Sequence, residues 1–445
     1  MAAPDGAANT PSEDRYPALR PFRSRNFRIY YVGQFVTVLG TWMQSVATSW
    51  LVYRLSGSAL ALGVTAFAQQ APMLLLAPFA GVMADRVNRR RMLIVVQTFG
   101  LLQGAAITLL MLSGQAQVWQ IIVLSLWMGV VNAFETPARQ SFLLELLLDR
   151  RHLPNAIALQ SFLMNSTRLI GPSIAGVILA VAGEGVCFAL NTVCYVAIVV
   201  AYRFIRPPPR EIRTGGQPWH AALLSGFGYA FGDPVNRRLI VMLGWLGFLS
   251  SPWQSLMPVV AKEVLGGDSR TLGALIGAVG AGAIVSTLAL ASRRTIRGIE
   301  RTMIVTGFLA AGSFIAFSFV TGVGLALVLL AIFGYGLIAT ASAGNQILQT
   351  VAHDEFRGRI VSVYAMVFLG SMPLGNLAGG ALAHAIGAPW TLRIAGLALL
   401  ALGIWFLAGF GAFEAALRER FAQRGIGAVP VSSAAEPPRG PSSSG

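Results

Sequence analysis

Along most of this chain, apolar stretches of some twenty residues or more alternate with short polar breaks, and the alternation runs through about twelve cycles. A hydrocarbon core of about 30 Å is crossed by roughly 20 helical residues, so each stretch is long enough to span a bilayer once. The pattern places spans near 27–53, 59–84, 92–113, 117–136, 155–182, 186–205, 237–261, 271–292, 301–320, 322–347, 360–384 and 389–411. Inside a bilayer a helix satisfies its own backbone hydrogen bonds. The predicted fold class is therefore an all-α integral membrane protein.

The polar breaks are not equivalent. Of 33 Lys and Arg residues, 28 fall on one side of the ladder, in alternate breaks and the two tails. The other side receives only Arg54, Lys262, Arg270 and Arg393, and Arg168 lies within the fifth span. Basic loops remain cytoplasmic, which places both termini inside and favours an even number of spans. Charged residues make up only 11% of the chain and hydrophobic ones 55%, against about 25% charged in a soluble domain. A net charge of +15 would point to nucleic acid in a soluble protein. Here the arginines sit at span ends, where they orient the chain and meet anionic lipid headgroups, so lipids rather than nucleic acid are the expected partners. Cys187 and Cys194 are the only cysteines, and neither a disulfide framework nor a metal site is indicated. Residues 1–25 carry no apolar core, so no cleavable signal peptide is expected. The preference for arginine over lysine and the abundance of alanine fit a GC-rich bacterial genome, and helical spans fit a cytoplasmic membrane.

The longest break, 206–236, opens Arg206-Pro207-Pro208-Pro209-Arg210. Consecutive prolines hold an extended backbone, so this is read as a cytoplasmic linker, with an amphipathic segment at Trp219 to Phe231 lying on the membrane surface. It divides the chain into a disordered cytoplasmic tail (1–25), a first six-helix bundle (26–205), a second six-helix bundle (237–411) and a cytoplasmic, mostly disordered tail (412–445). The halves echo one another at an offset near 205. Trp42-Met43-Gln44-Ser45 answers Trp253-Gln254-Ser255-Leu256, Arg139-Gln140 answers Asn345-Gln346, and Gly171 to Gly176 answers Gly375 to Gly380. Parallel repeats with a substrate site between them at the midplane describe one large class of transporters. A single chain holding both repeats is expected to act as a monomer.

After the second span comes Gly81-Val-Met-Ala-Asp85-Arg86-Val-Asn88-Arg89-Arg90. A glycine allows close helix approach, and a carboxylate among guanidinium groups forms a charge cluster that can be made and broken. This resembles G-x-x-x-D-R-x-G-R-R, the loop signature of the major facilitator superfamily. Asn88 replaces a glycine, and asparagine is the residue next most tolerant of a left-handed turn. The corresponding loop after the eighth span keeps Arg293, Arg294 and Arg297 but no aspartate. The resemblance implies a fold of twelve helices in two six-helix bundles, with Gly81, Asp85, Arg86, Arg89, Arg90, Glu135 and Arg139 forming a conformational latch. Asp85 would face the start of the eleventh span near Arg359 and Ile360, where a helix N-terminus favours an anion. Arg89 would meet Glu135. Exposed pairs worth about 1 kcal/mol or less suit a latch that opens in every cycle.

In the fifth span, Gly171-Pro172 and Gly176 resemble the G-P-x-x-G-G signature of the exporting branch, with Ala175 in place of one glycine. Small residues permit close packing and proline bends the helix; ordinary membrane-helix composition is the alternative. Thr136-Pro137-Ala138-Arg139-Gln140-Ser141 and Leu153-Pro154-Asn155-Ala156 further resemble siderophore and macrolide exporters. Residues 25–410 as a whole fit that branch, implying secondary active export driven by inward proton movement. Glu135 is the candidate proton carrier, with His384 a weaker second.

Arg168 is too deep in its span to reach either interface easily, where an unpaired charge costs several kcal/mol. Either it faces the cavity and binds an anionic substrate group, or it is a hydrogen-bond hub for helix carbonyls. Gln44, Gln69, Gln70, Trp127, Asn165, Trp253 and Gln254 are the other cavity candidates, each equally readable as helix–helix glue. No phosphate-binding loop, H-E-x-x-H or nucleophile–base set occurs among the motifs, and His152, His220, His353 and His384 are scattered. An enzyme and a resident cofactor are not expected. The competing reading within the same fold is a facilitator that imports a nutrient or flips a lysolipid.

Overall fold

A computed structural model of the chain describes residues 17–147, 153–206, 219–293, 295–296, 298–353 and 355–423, without the side chains of 17–18, 77–78, 85, 219–223 and 422–423. The linker prolines, His152, and the tails before 17 and after 423 lie outside the described residues. So does the Asp85 carboxylate, although its backbone belongs to the second helix.

The first half contains α1 (Arg25–Ser56), α2 (Ala59–Arg86), α3 (Arg89–Leu112), α4 (Val118–Glu145) and a continuous run Leu153–Phe204. Gly183, at φ 80°, breaks that run into α5 (153–182) and α6 (184–204); only glycine adopts this conformation without strain. Side-chain caps start the helices: Ser24 accepts from the Phe27 amide and Ser58 from the Ala61 amide. Asn88 does the same for α3, accepting from Arg91 N–H at φ −65°. Asn88 is thus a helix cap in extended backbone, where a left-handed turn was expected.

The linker forms α7 (Trp219–Gly232), and the second half contains α8 (Pro234–Val264), α9 (Ser269–Ala291), α10 (Ile299–Phe317), α11 (Val323–Val351), α12 (Arg357–Ile386) and α13 (Ala388–Ala408). α8 is interrupted at Ser251–Pro252 and closes on a π-helical turn at Val260–Val264. Ten of the described segments are long and apolar enough to cross a membrane. One of them is the run broken at Gly183, which crosses twice. Helix α1 joins them on length, its apolarity lowered by Gln34, Thr37, Gln44 and Thr48, all buried inside the protein. Among the described residues the fold is all-α, with twelve helices of spanning length once the run is divided at Gly183 and α1 is included.

Helices α1 to α6 pack among themselves, as do α8 to α13, and the halves meet mainly along α2–α12 and α5–α9. One apolar cluster fills the second half and continues through Met43, Leu51, Leu62 and Leu179 into the first. A second cluster, around Phe27, Tyr30, Phe142, Tyr195 and Tyr202, occupies the opposite end of the first half and does not join it.

The described parts of both tails are helical. Pro17–Arg23 forms a 3₁₀ turn whose Phe22 meets Phe27 and Tyr31 at 5.3 and 5.0 Å. The beginning of the C-terminal tail forms α14 (Phe410–Gln423), with Phe413, Leu417 and Phe421 buried on one face. Helix α7 packs against α12, with Tyr229 stacked on Phe356 at 4.4 Å and Arg359 donating to Ser225 Oγ at 3.0 Å.

Candidate functional site

The boundary between the halves is sealed at one end by two crossings of the same design. On α5–α9, a Cβ added to Gly273 would lie 2.4 Å from the Pro172 carbonyl oxygen and 3.0 Å from Gly176 Cα. On α2–α12, a Cβ on Gly63 would lie 2.7 Å from the Asn376 oxygen and 2.9 Å from Gly380 Cα. Pro172 and Gly176 correspond to Asn376 and Gly380 at the repeat offset, so both seals use the same register. Ser269 Oγ donates to the Gly176 carbonyl at 3.1 Å. Nearby, the Tyr53 hydroxyl at the end of α1 donates to Glu263 of α8, and Lys262 Nζ stands 5.8 Å from the Tyr53 ring centroid.

Next to this seal lies a partly open cavity, lined by Trp42, Ser45, Val46, Thr48 and Ser49 of α1, Leu62, Thr65, Ala66, Gln69 and Gln70 of α2, Gln254 and Ser255 of α8, and Ile276 of α9. Both halves contribute, and no charged residue is in the lining. Gly171 brings α5 so close that its added Cβ would meet Trp42 Cβ at 2.6 Å, which fixes the position of the indole. Arg168, one turn earlier on α5, places its guanidinium 5.6 Å from the Trp42 ring centroid.

Of the expected cavity residues, Gln69, Gln70 and Gln254 are brought together, and Arg168 reaches the cavity's indole wall. The others are used elsewhere. Gln44 is buried inside the first half, donating to Gln103 at 3.0 Å and accepting from Asn191. Its polar face turns into the bundle because α3 and α6 offer it partners. Asn165 donates back to Ser161 O on its own helix at 2.9 Å. Trp253 is buried edge-on to Phe333 in the second-half core. Trp127 sits beside Phe99 of α3 and does not line the cavity. Trp42, Ser45 and Gly63 are candidate-site residues that the motifs did not single out, whereas Gly380 lay in the repeat match. The tryptophan correspondence with the second half was the one signal that pointed to Trp42.

The arginines after α2 act within their own half. Arg89 is buried, donating to Ala84 O at 3.2 Å, to Ser141 O at 3.0 Å and to Glu145 at 3.1 Å. Its partner is Glu145, not Glu135. Glu135 lies a further turn or more into α4 and pairs instead with Arg139 at 3.6 Å. Arg90 donates to the Tyr202 and Arg203 carbonyls, each at 2.7 Å, capping the end of α6. Together the two side chains tie α2, α3, α4 and α6 into one block. Arg86 is exposed, and a Cβ on Gly81 would meet nothing within 4 Å. Arg139 extends its contacts to Gln34 at 3.4 Å, and Gln34 donates to the Tyr202 hydroxyl at 2.8 Å.

A two-half helical bundle with a polar cavity on the dividing plane is a carrier geometry. Residues 16–441 match the family described as transmembrane secretion effector. The chain is 26% identical to the staphyloferrin A transporter of Staphylococcus aureus over 85% of this chain and 95% of that protein. It is also 26% identical to the multidrug efflux pump Tap of Mycolicibacterium fortuitum, over 82% and 91%. Its fold resembles a bacterial homologue of the human lysosomal transporter Spinster, solved inward-facing and unoccupied, with TM-score 0.68, 13% identity, and coverage of 93% of this chain and 99% of that one. These relatives are transporters and not enzymes. The chain belongs to the transmembrane secretion effector family of the major facilitator superfamily and is a multi-pass membrane transporter.

Proposed function

We propose that this protein exports a small molecule from the cytoplasm by alternating access, exchanging it for protons moving inward. The observation that carries the reading is the one-ended seal. The close approaches between the halves run from Gly63 to Leu74 on α2 and from Gly176 to Arg168 on α5. The apolar core passes from one half into the other at the sealed end, while the cluster at the opposite end stays within the first half. With both termini cytoplasmic, as the arginine distribution argues, the seal is external and this is the state that loads from inside.

The reversed state needs the cytoplasmic ends of α2 and α12 to meet. Asp85, in the last turn of α2, is the latch residue of this reading, because the N-terminus of α12 is where backbone amides favour an anion. Here the entrance to α12 is occupied by α7 through Arg359–Ser225 and Tyr229–Phe356. Opening the latch therefore accompanies the docking of α7.

The buried Glu135–Arg139 pair, continued by Gln34 and Tyr202, is the candidate proton site. Everted membrane vesicles energised by ATP test the function. Accumulation of substrate that collapses with the pH gradient supports antiport. Accumulation that ignores the gradient, or equilibration alone, supports the facilitator instead. Comparing secreted and retained siderophores and drug sensitivity in a deletion strain identifies the cargo.

A further inference from the structure

We infer that the cavity binds an anionic, oxygen-rich small molecule, a hydroxycarboxylate, with Arg168 as the carboxylate anchor, Trp42 as a flat wall, and Gln69, Gln70, Gln254 and Ser45 as donors. This rests on reading the cavity as the transport path and names the class of its cargo.

Three observations converge. Among the described residues, Arg168 forms no hydrogen bond and no ion pair, and its one recorded partner is the Trp42 face. A guanidinium at this depth is costly unless an anion or water meets it, and it is preorganised for a carboxylate by its planar fork of donors. Secondly, the described carboxylates of the first half are engaged elsewhere. Glu135 pairs with Arg139, Glu145 with Arg89, and Glu184 with Arg54 at 2.7 Å. Thirdly, the lining contains no carboxylate to receive a cation, and the side chains of Gln69, Gln70, Gln254 and Ser45 form no hydrogen bond among the described residues. Three uncommitted carboxamides and a hydroxyl suit carboxylate, hydroxyl and carbonyl oxygens on one ligand. A lipophilic cation finds the opposite: an uncompensated positive charge beside the indole it would stack on.

The test is isothermal titration of the purified full chain in nanodiscs with citrate and gluconate as anionic probes and tetraphenylphosphonium as the cationic one. The expected result is that at least one of the anions binds and the cation does not. Arg168→Gln should weaken anion binding by roughly tenfold or more, as for loss of a charge-assisted pair, with Arg168→Lys intermediate. Should Arg168→Gln fail to fold, the Gln69→Leu, Gln254→Leu double variant serves, and unchanged anion affinity in it overturns the assignment. Neither anion binding, or affinity indifferent to Arg168→Gln, also overturns it. Proteoliposomes separate this from the broader reading. Arg168-independent export of tetraphenylphosphonium would sink the anionic class and leave export standing. Arg168-dependent binding of an anion with no export of it would support the anion site and sink export.

Discussion

Gly63 on α2 and Gly380 on α12 cross so closely that a methyl group on Gly63 would stand 2.9 Å from the Gly380 Cα. The obstacle is backbone on both sides, so no side-chain rotation relieves it. Gly63→Val, and its counterpart Gly273→Val on α9, should each cost about 1–3 kcal/mol of the sealed state, the usual penalty of overpacking. Both bundles can keep their own cores, so the molecule relieves the clash by parting. Expected is faster labelling by an externally added, impermeant maleimide of a cysteine placed at Ser49, in a chain lacking Cys187 and Cys194. Unchanged labelling would mean that these crossings do not hold the seal.

The Tyr53–Glu263 contact joins α1 to α8 across the halves at the same end. Tyr53→Phe removes only the donor. A single hydrogen bond contributes about 0.5–1.5 kcal/mol, so a two- to tenfold rise in maleimide labelling at Ser49 is expected, smaller than for Gly63→Val. The second substitution added to the first should act additively, since the sites share no partner.

Arg89 and Asp85 belong to one sequence motif but should fail differently. Arg89→Met removes the ion pair with Glu145 and the bonds donated to the Ala84 and Ser141 carbonyls. A loss of about 1–3 kcal/mol follows, read as a lower unfolding midpoint in detergent. Asp85→Asn should leave that midpoint in place and loosen the outward-open state, changing the labelling of cytoplasmic-side cysteines and the transport rate. Wild-type transport with wild-type labelling would remove Asp85 from the latch.

Docking of α14 should weaken in acid. The Glu414 carboxyl is held below its ordinary value chiefly by the Arg418 hydrogen bond, with Arg301 of α10 adding to it. A depressed folded-state value means the stabilisation is present above the unfolded-state value and is lost as pH falls through the folded one. At neutral pH the clasp is complete. Limited proteolysis at the α13–α14 joint should therefore accelerate below the usual carboxylate range in the wild type. In Glu414→Gln it should be faster at neutral pH and flat with pH.

How much of this was legible without coordinates varies by residue. Gly176 and Gly380 shared a register visible in the chain, and that register became the two matching seals. Arg168 stood out because depth alone makes a charge conspicuous. Gln44 was misread because a glutamine on a membrane helix presents the same symbol whether it faces a cavity or two neighbouring helices. The loop arginines were misread for a related reason. Motif spacing says they are close to α4, but the height at which α3 meets α4 decides between Glu135 and Glu145, which lie about 15 Å apart along the same helix.

Period and charge alone determined the membrane-spanning class, the number and order of spans, the division at the linker and the expected orientation, because water, hydrocarbon and headgroups act on each segment separately. Which polar residues line the cavity, which end is sealed and which acid meets Arg89 were decided only by tertiary structure. Those outcomes depend on how helices are rotated about their axes, and rotation is set by contacts between segments hundreds of residues apart.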